Sequence, residues 1–140
     1  MIGVDTNAVS ELMGLEPAPA VLEWVDRQPA EHVWLTAVTL AELLYGIGRL
    51  PEGQRKATLA AGLEAMLPED LDHRVAAFDE PATAHYADIV VVRERTGRPI
   101  SSADAQIAAV CRSHGATIAT RNVHDFTGTG ITIVNPWVDP

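Results

Sequence analysis

Apolar residues fall in short runs divided by polar, Gly and Pro breaks, and the period of the runs changes along the chain. Residues 1–4 form an apolar run that ends at Asp5, the pattern of a short buried strand. Residues 7–13 have helical spacing and are closed by Gly14 and the Pro17/Pro19 punctuation. A second helix is expected over 20–28, carrying Val21, Leu22, Trp24 and Val25, and a strand over 33–36. The helix over 39–50 takes Thr39 as its N-cap, and Pro51-Glu52-Gly53 breaks the chain after it. Leu59, Leu63 and Leu67 share one face of a helix over 54–67. A strand over 74–78 leads to a long helix over 81–95, with Pro81 in its first turn, and residues 97–99 form a loop. The helix over 102–114 ends at Gly115, and strands follow over 116–119 and 131–134. Strands alternate with helices, so the fold class is α/β with a mostly parallel central sheet flanked by helices. One domain over 1–140 is expected, with its ligand outside the carboxyl ends of the strands.

Three carboxylates interrupt this apolar pattern. Asp5 is the only charged residue before Glu11 and sits where the first strand ends. Glu42 is the only formally charged residue between Glu31 and Arg49, and Asp104 stands alone between Arg98 and Arg112. A carboxylate among apolar neighbours costs several kcal/mol of desolvation unless cations or hydrogen bonds compensate it. No Lys or Arg lies within a helical turn of any of the three. A hard cation such as Mg²⁺, which prefers oxygen ligands, would compensate them together. Each also has a plain structural reading. Asp5 can cap the following helix, Ser101-x-x-Asp104 can form a capping box, and Glu42 can face water.

Composition narrows the class further. No apolar run approaches the roughly 18 residues a membrane span needs, and the start Met1-Ile2-Gly3-Val4-Asp5 lacks the basic opening of a secretory leader. The only cysteine, Cys111, excludes an internal disulfide and a multi-cysteine zinc site, so a cytoplasmic protein is expected. Cys111, Trp24 and Trp34 read as core or interface residues, and the five histidines show no metal-ligand spacing. The net charge of −9 argues against electrostatic wrapping of nucleic acid, yet five arginines (Arg93, Arg95, Arg98, Arg112 and Arg121) fall in the last third.

Four segments in order carry a family resemblance: Val4-Asp5-Thr6-Asn7; Ala37-Val38-Thr39-Leu40-Ala41-Glu42-Leu43 with Tyr45-Gly46-Ile47; Asp104-Ala105-Gln106-Ile107-Ala108-Ala109; and Ala119-Thr120-Arg121-Asn122-Val123-His124-Asp125-Phe126. Together with Gly128-Thr129-Gly130 and Asn135-Pro136-Trp137, they resemble PIN-domain proteins, most closely the FitB-like branch of the VapC-type toxin ribonucleases. The resemblance covers essentially the whole chain. It implies a parallel sheet with an acidic pocket for one or two Mg²⁺ or Mn²⁺ ions, and endoribonuclease activity as the toxin of a type II toxin–antitoxin system. It also implies a homodimer and a cognate VapB- or FitA-like antitoxin, through which alone the complex touches operator DNA.

Carried over by position, Asp5, Glu42 and Asp104 match the family's metal-binding acids. Many PIN sequences have Asp where this chain has Asn122, and Asp125 lies three residues on, within reach if 122–126 forms a helical turn. Thr6, Asn7 and Thr120 are candidate supporting polar groups, with turn and cap chemistry as the alternative. A carboxylate cluster on Mg²⁺ suits phosphodiester hydrolysis, because the ion lowers the pKa of water and neutralises phosphate charge. The RNA, a tRNA or ribosomal RNA by class, would be held by arginines, with Arg93, Arg95, Arg98, Arg112 and Arg121 as candidates and Arg95, Arg98 and Arg121 foremost, a solvated helix face being the alternative for each.

Two other readings stand beside this one. In the first, the domain acts mainly as an antitoxin-binding subunit, weakened by Asn122. In the second, it is a haloacid-dehalogenase-type phosphatase, which needs a second Asp two residues after the first, where this chain has Asn7. Gly46-x-Gly48 is too short for a dinucleotide fingerprint.

Overall fold

The computed structural model describes residues 1–139. Five strands, β1 (Ile2–Val4), β2 (Val33–Thr36), β3 (Val75–Ala76), β4 (Thr117–Ala119) and β5 (Ile133–Val134), form one sheet in the order β3-β2-β1-β4-β5. Every pairing is parallel. Seven helices connect them: α1 (Thr6–Met13), α2 (Pro19–Asp26), α3 (Ala37–Gly48), α4 (Gln54–Glu69), α5 (Glu80–Arg95), α6 (Ser102–Ser113) and α7 (Val123–Phe126). A short 3-10 turn at Ala30–His32 leads into β2.

Strand alternation divides the core. Val4 and Leu35 point to one face, where they pack with Ala8, Val9, Leu43, Leu63 and Leu71 from α1, α3, α4 and the segment after α4. Ile118 points to the other, with Ile89 of α5, Phe126 of α7 and the inner face of α6. Both faces are covered, as an all-parallel sheet requires. α6 lies deepest: Ala105, Ile107, Ala108, Ala109, Val110 and Cys111 are all buried. Its small side chains let it approach the sheet closely, and Gly3 on β1 is where it does. A Cβ at Gly3 would stand 2.9 Å from the Cys111 Sγ.

The expected elements are all present, with shifted ends. α3 starts two residues early because Thr36, not Thr39, is its N-cap: the Thr36 hydroxyl accepts the Thr39 N–H at 3.0 Å. α4 runs past 67 to Glu69 with Pro68 inside its last turn. The carbonyls left at that end are used by the following chain, Met66 by the Asp70 and Leu71 N–H groups and Leu67 by the His73 N–H. The strands β3 and β5 shorten to two residues each, and just before them the Arg74 and Thr132 carbonyls accept single bonds from the Leu35 and Ile118 N–H groups.

The chain leaves β1 for β2 and β3 on one side, then crosses to β4 and β5 on the other. The crevice between β1 and β4 is therefore the topological switch point, where ligands of open parallel sheets bind beyond the strands' carboxyl ends. Asp5 follows β1 directly, and Thr120 follows β4.

Because β1 and α6 touch at Gly3, Gly3→Ala is expected to destabilise the protein by about 1–3 kcal/mol through overpacking. Adding Cys111→Ala should restore part of the loss. Denaturant unfolding of the single and double variants measures both.

Candidate active site

Asp5 occupies the N-cap position of α1, yet its side chain caps nothing. The carboxylate turns across the switch point instead. Its Oδ2 accepts the Thr120 hydroxyl at 2.8 Å and the Asn7 amide at 3.1 Å. Thr120 is fully buried and its hydroxyl is saturated: it donates to Asp5 and accepts the Asn122 N–H at 3.0 Å and the Asn7 Nδ2 at 3.1 Å. Asn7 is also spent, since its Oδ1 accepts the Arg121 N–H at 3.0 Å. These bonds exist because the β1–β4 register pairs Val4 with Ala119, and the Asp5 N–H extends it by donating to the Ala119 carbonyl at 2.9 Å. The polar roles expected of Asn7 and Thr120 thus take the form of one network on Asp5.

Asp104 enters from the first turn of α6. The cap reading of Ser101 holds, since its hydroxyl accepts the Asp104 N–H at 3.2 Å. The Asp104 carboxyl is nonetheless half-buried and pushed up from 3.8 to about 6, first by burial and then by the charges of Asp5, Asp125 and Glu42, against the opposing pull of the Ser101 hydroxyl. Burial likewise raises Asp5, with the Glu42 charge adding to it, while Thr120, the Thr6 N–H and Asn7 work the other way. Asp104 therefore feels the charges of the other three acids, and Asp5 that of Glu42. Neither ion pair among the described residues, Lys56 with Glu52 and Arg112 with Asp88, involves any of the four.

Two expectations need correction. Glu42 is exposed at the rim, so it bears no desolvation cost; the Thr6 hydroxyl donates to it at 2.7 Å. Its apolar sequence neighbours Leu44 and Tyr45 are themselves exposed, which is why isolation along the chain did not mean burial. Among the described residues, no three acidic, His or Cys side chains converge as a closed ligand set.

At the fourth position, Asn122 is exposed and contributes its backbone N–H to Thr120, whereas the Asp125 carboxylate is the group whose charge reaches Asp104. α7 places Asp125 there as the helical turn anticipated over 122–126. Of the arginines, Arg95, Arg98 and Arg121 are exposed. Arg98 reaches the His124 carbonyl at 3.5 Å, and Arg121 lies over the Trp137 ring at 5.1 Å. Arg93 and Arg112 are withdrawn from any surface role: Arg93 is buried on backbone carbonyls and Arg112 pairs with Asp88 at 2.8 Å.

The family model of the PIN domain matches residues 2–127. The chain belongs to the PIN-domain family. It is 41% identical over 137 residues to VapC ribonuclease Y4jK of Sinorhizobium fredii, covering 98% of each chain. To Toxin FitB of Neisseria gonorrhoeae it is 37% identical over 139 residues, covering 99% of this chain and 100% of that one. Among solved structures, a chain of FitAB bound to the IR36 DNA fragment superposes with a TM-score of 0.91 at 35% identity, covering 100% of this chain and 98% of that chain.

In this PIN domain the donor chemistry fits a hard divalent cation. Asp5, Asp104, Asp125 and Glu42 offer only oxygen, two of them are raised by burial and mutual repulsion, and no protein cation neutralises them. The Cys111 thiol beneath the site is pushed up to about 12 by burial, and by the Asp5 charge, so it stays neutral and inert.

The raised acids set a pH dependence. A carboxyl whose folded pKa exceeds its unfolded value binds more protons in the folded state between the two, so stability falls as pH rises through that window. For Asp104 the window runs from 3.8 to about 6, and Asp5 acts in the same direction. Thermal unfolding of EDTA-treated protein should show Tm falling across this range. Asp104→Asn should flatten the fall and raise Tm at pH 7.

Proposed function

We propose that this protein is a divalent-metal-dependent endoribonuclease, one PIN domain serving as the toxin of a type II toxin–antitoxin pair. The observation that carries the reading is Asp5: a buried carboxylate at the switch point, fixed by Thr120 and Asn7, raised by burial and by the Glu42 charge, and in no ion pair among the described residues. Mg²⁺, or Mn²⁺ in its place, is the ion its oxygen donors suit. Asp5, Asp104 and Glu42 would hold it, with Asp125 or Asn122 completing the set. When bound, the ion activates the attacking water and neutralises charge on the scissile phosphate. Thr120 and Asn7 keep the Asp5 oxygen aimed, and Thr6 keeps Glu42 at the rim. Arg95, Arg98 and Arg121 supply exposed positive charge for the RNA backbone, with tRNA or ribosomal RNA as the class of target.

The relatives named as a VapC ribonuclease and a FitB toxin support the activity, and the FitAB structure supports a FitA- or VapB-like antitoxin as partner and DNA contact through it. A cleft of about 720 Å³ opens beside Thr6 and Glu42, lined by Met13, Leu15, Ile47, Leu50 and Leu59 of α1, α3, α4 and the segments that follow α1 and α3. Its apolar floor and its position at the site's mouth suit an amphipathic antitoxin segment, whose seating would block the acids. Exposed Leu44, Tyr45, Val91 and Val92 offer apolar surface for a homodimer. A cytoplasmic location accords with the reading, and no helix among the described residues is long and apolar enough to cross a membrane. The alternative of a feeble antitoxin-binding subunit rests on Asn122, and Asp125 beside Asp104 weighs against it.

Antitoxin-free protein with Mg²⁺ or Mn²⁺ should cleave a pool of tRNA and ribosomal RNA, leaving 5′-phosphate and 3′-hydroxyl ends. EDTA should abolish cleavage, and Asp5→Asn should reduce it at least 100-fold. A well-folded, metal-loaded protein that cleaves no RNA would move the assignment to the binding subunit. Separately, Arg95→Ala or Arg98→Ala should weaken RNA binding and flatten its salt dependence by about one unit of log–log slope per lost phosphate contact. A filter-binding titration across salt concentrations decides this for each residue.

A further inference from the structure

Arg93 lies in the last turn of α5 with 6% of its surface exposed and makes no ion pair among the described residues. A buried cation without a carboxylate is costly unless hydrogen bonds replace its water. Here they do, and all of them go to backbone carbonyls. Nε donates to the Arg98 carbonyl at 2.6 Å, and Nη1 donates to those of Asp125 and Thr127, each at 3.0 Å. The Arg98 N–H returns a bond to the Arg93 carbonyl at 2.8 Å, which closes the turn after α5 on the guanidinium.

What Arg93 grips is the segment least able to hold itself. α7 is a single turn of four residues, far below the length at which a helix is stable alone. Phe126 anchors one side of it in the core, and the Thr129 hydroxyl holds the Phe126 carbonyl. The two carbonyls flanking Phe126 belong to Arg93. One of them is the carbonyl of Asp125, an exposed acid on α7, the turn that follows β4, whose charge raises the Asp104 carboxyl.

We propose that Arg93 is a positioning residue for the metal-binding acids: its buried fork fixes the Asp125–Thr127 turn against α5 and so sets where the Asp125 carboxylate stands relative to Asp104. Lysine cannot reproduce this, because one ammonium on a flexible stem lacks the rigid fork that spans carbonyls from two segments. The proposal rests on the nuclease reading only in taking Asp125 as a metal-binding group, and a metal titration tests that without RNA.

Arg93→Lys, Asp125→Asn and the double variant are compared with the unaltered protein by thermal unfolding, Mn²⁺ calorimetry and RNA cleavage. The expected Arg93→Lys protein is folded, binds Mn²⁺ about 10-fold more weakly, and loses about 10-fold in kcat with KM for RNA nearly unchanged, the size of effect seen when groups supporting a metal ligand are lost. In the Asp125→Asn background the same substitution should cost nothing further. Unchanged Mn²⁺ affinity in Arg93→Lys, a silent Asp125→Asn, or an equal loss in both backgrounds would overturn the proposal and leave Arg93 a general stabiliser. If Arg93→Lys does not fold, Thr129→Val removes the hydroxyl bond to the Phe126 carbonyl in the same turn and leaves only that of the backbone N–H, keeps the cation in place, and is judged by the same comparison. Unaltered protein that binds Mn²⁺ but cleaves no RNA overturns the nuclease reading while the titration still decides the clamp. Protein that binds no Mn²⁺ overturns the clamp as well.

Discussion

The structure turns on one buried negative charge. Asp5 leaves water at the end of the central strand, where burial disfavours its ionised form and no protein cation offsets the cost. What holds it are neutral donors, the Thr120 hydroxyl and the Asn7 amide, each with its remaining hydrogen-bonding capacity committed elsewhere. Neutral donors orient a carboxylate without neutralising it. A salt bridge would have stabilised the fold more and left nothing for a cation to gain. The parallel register of β1 with β4 brings Thr120 opposite Asp5, so the sheet topology and the electrostatics of the site are the same fact seen at two scales.

The charge distribution follows the same logic. A net charge of −9 is unfavourable for a protein that handles RNA, and of the five C-terminal arginines Arg93 is buried on backbone carbonyls and Arg112 is paired with Asp88. The other three remain exposed, and two adjoin the site: Arg98 beside α7, and Arg121 one residue beyond Thr120. Screening confines acidic patches elsewhere to about 8 Å at physiological salt, so the local balance near the opening governs phosphate binding more than the total does. A cation held among the acids, as proposed, would shift that balance further towards the RNA.

The order of strands and helices was legible because each buried face imprints its own period. β2 and the body of α6 lie where the pattern puts them, Asp5 directly follows β1, and Asp104 lies in the first turn of α6. Details that depend on neighbours distant in sequence were not legible. Thr36 and Thr39 are both competent caps, and only the strand's true end chooses Thr36. Glu42 sits among apolar residues in sequence, but α3 turns that stripe outwards, and chain neighbours are not spatial neighbours. Arg93, in the run Arg93-Glu94-Arg95, reads as a solvated helix end. Its burial arises from a segment some thirty residues later folding over it, and no local period records that.

Two carboxylates that repel each other need a scaffold that cannot relax to separate them. Asp5 ends β1 and Asp104 begins α6, so their spacing is that of strand and helix, and these two elements meet at Gly3 and Cys111. The contact is so close that even a Cβ on Gly3 would crowd the Cys111 Sγ. Beyond its first turn α6 is dry and built from small residues, which leaves it no slack to tilt away from the sheet. The glycine at the middle of β1 and the small face of α6 thus keep the two acids at a repulsive separation, and the packing energy of the core offsets their repulsion. On this view, the site's readiness for a cation is stored in the fold before any ion arrives. It is lost by loosening α6 as surely as by removing an acid.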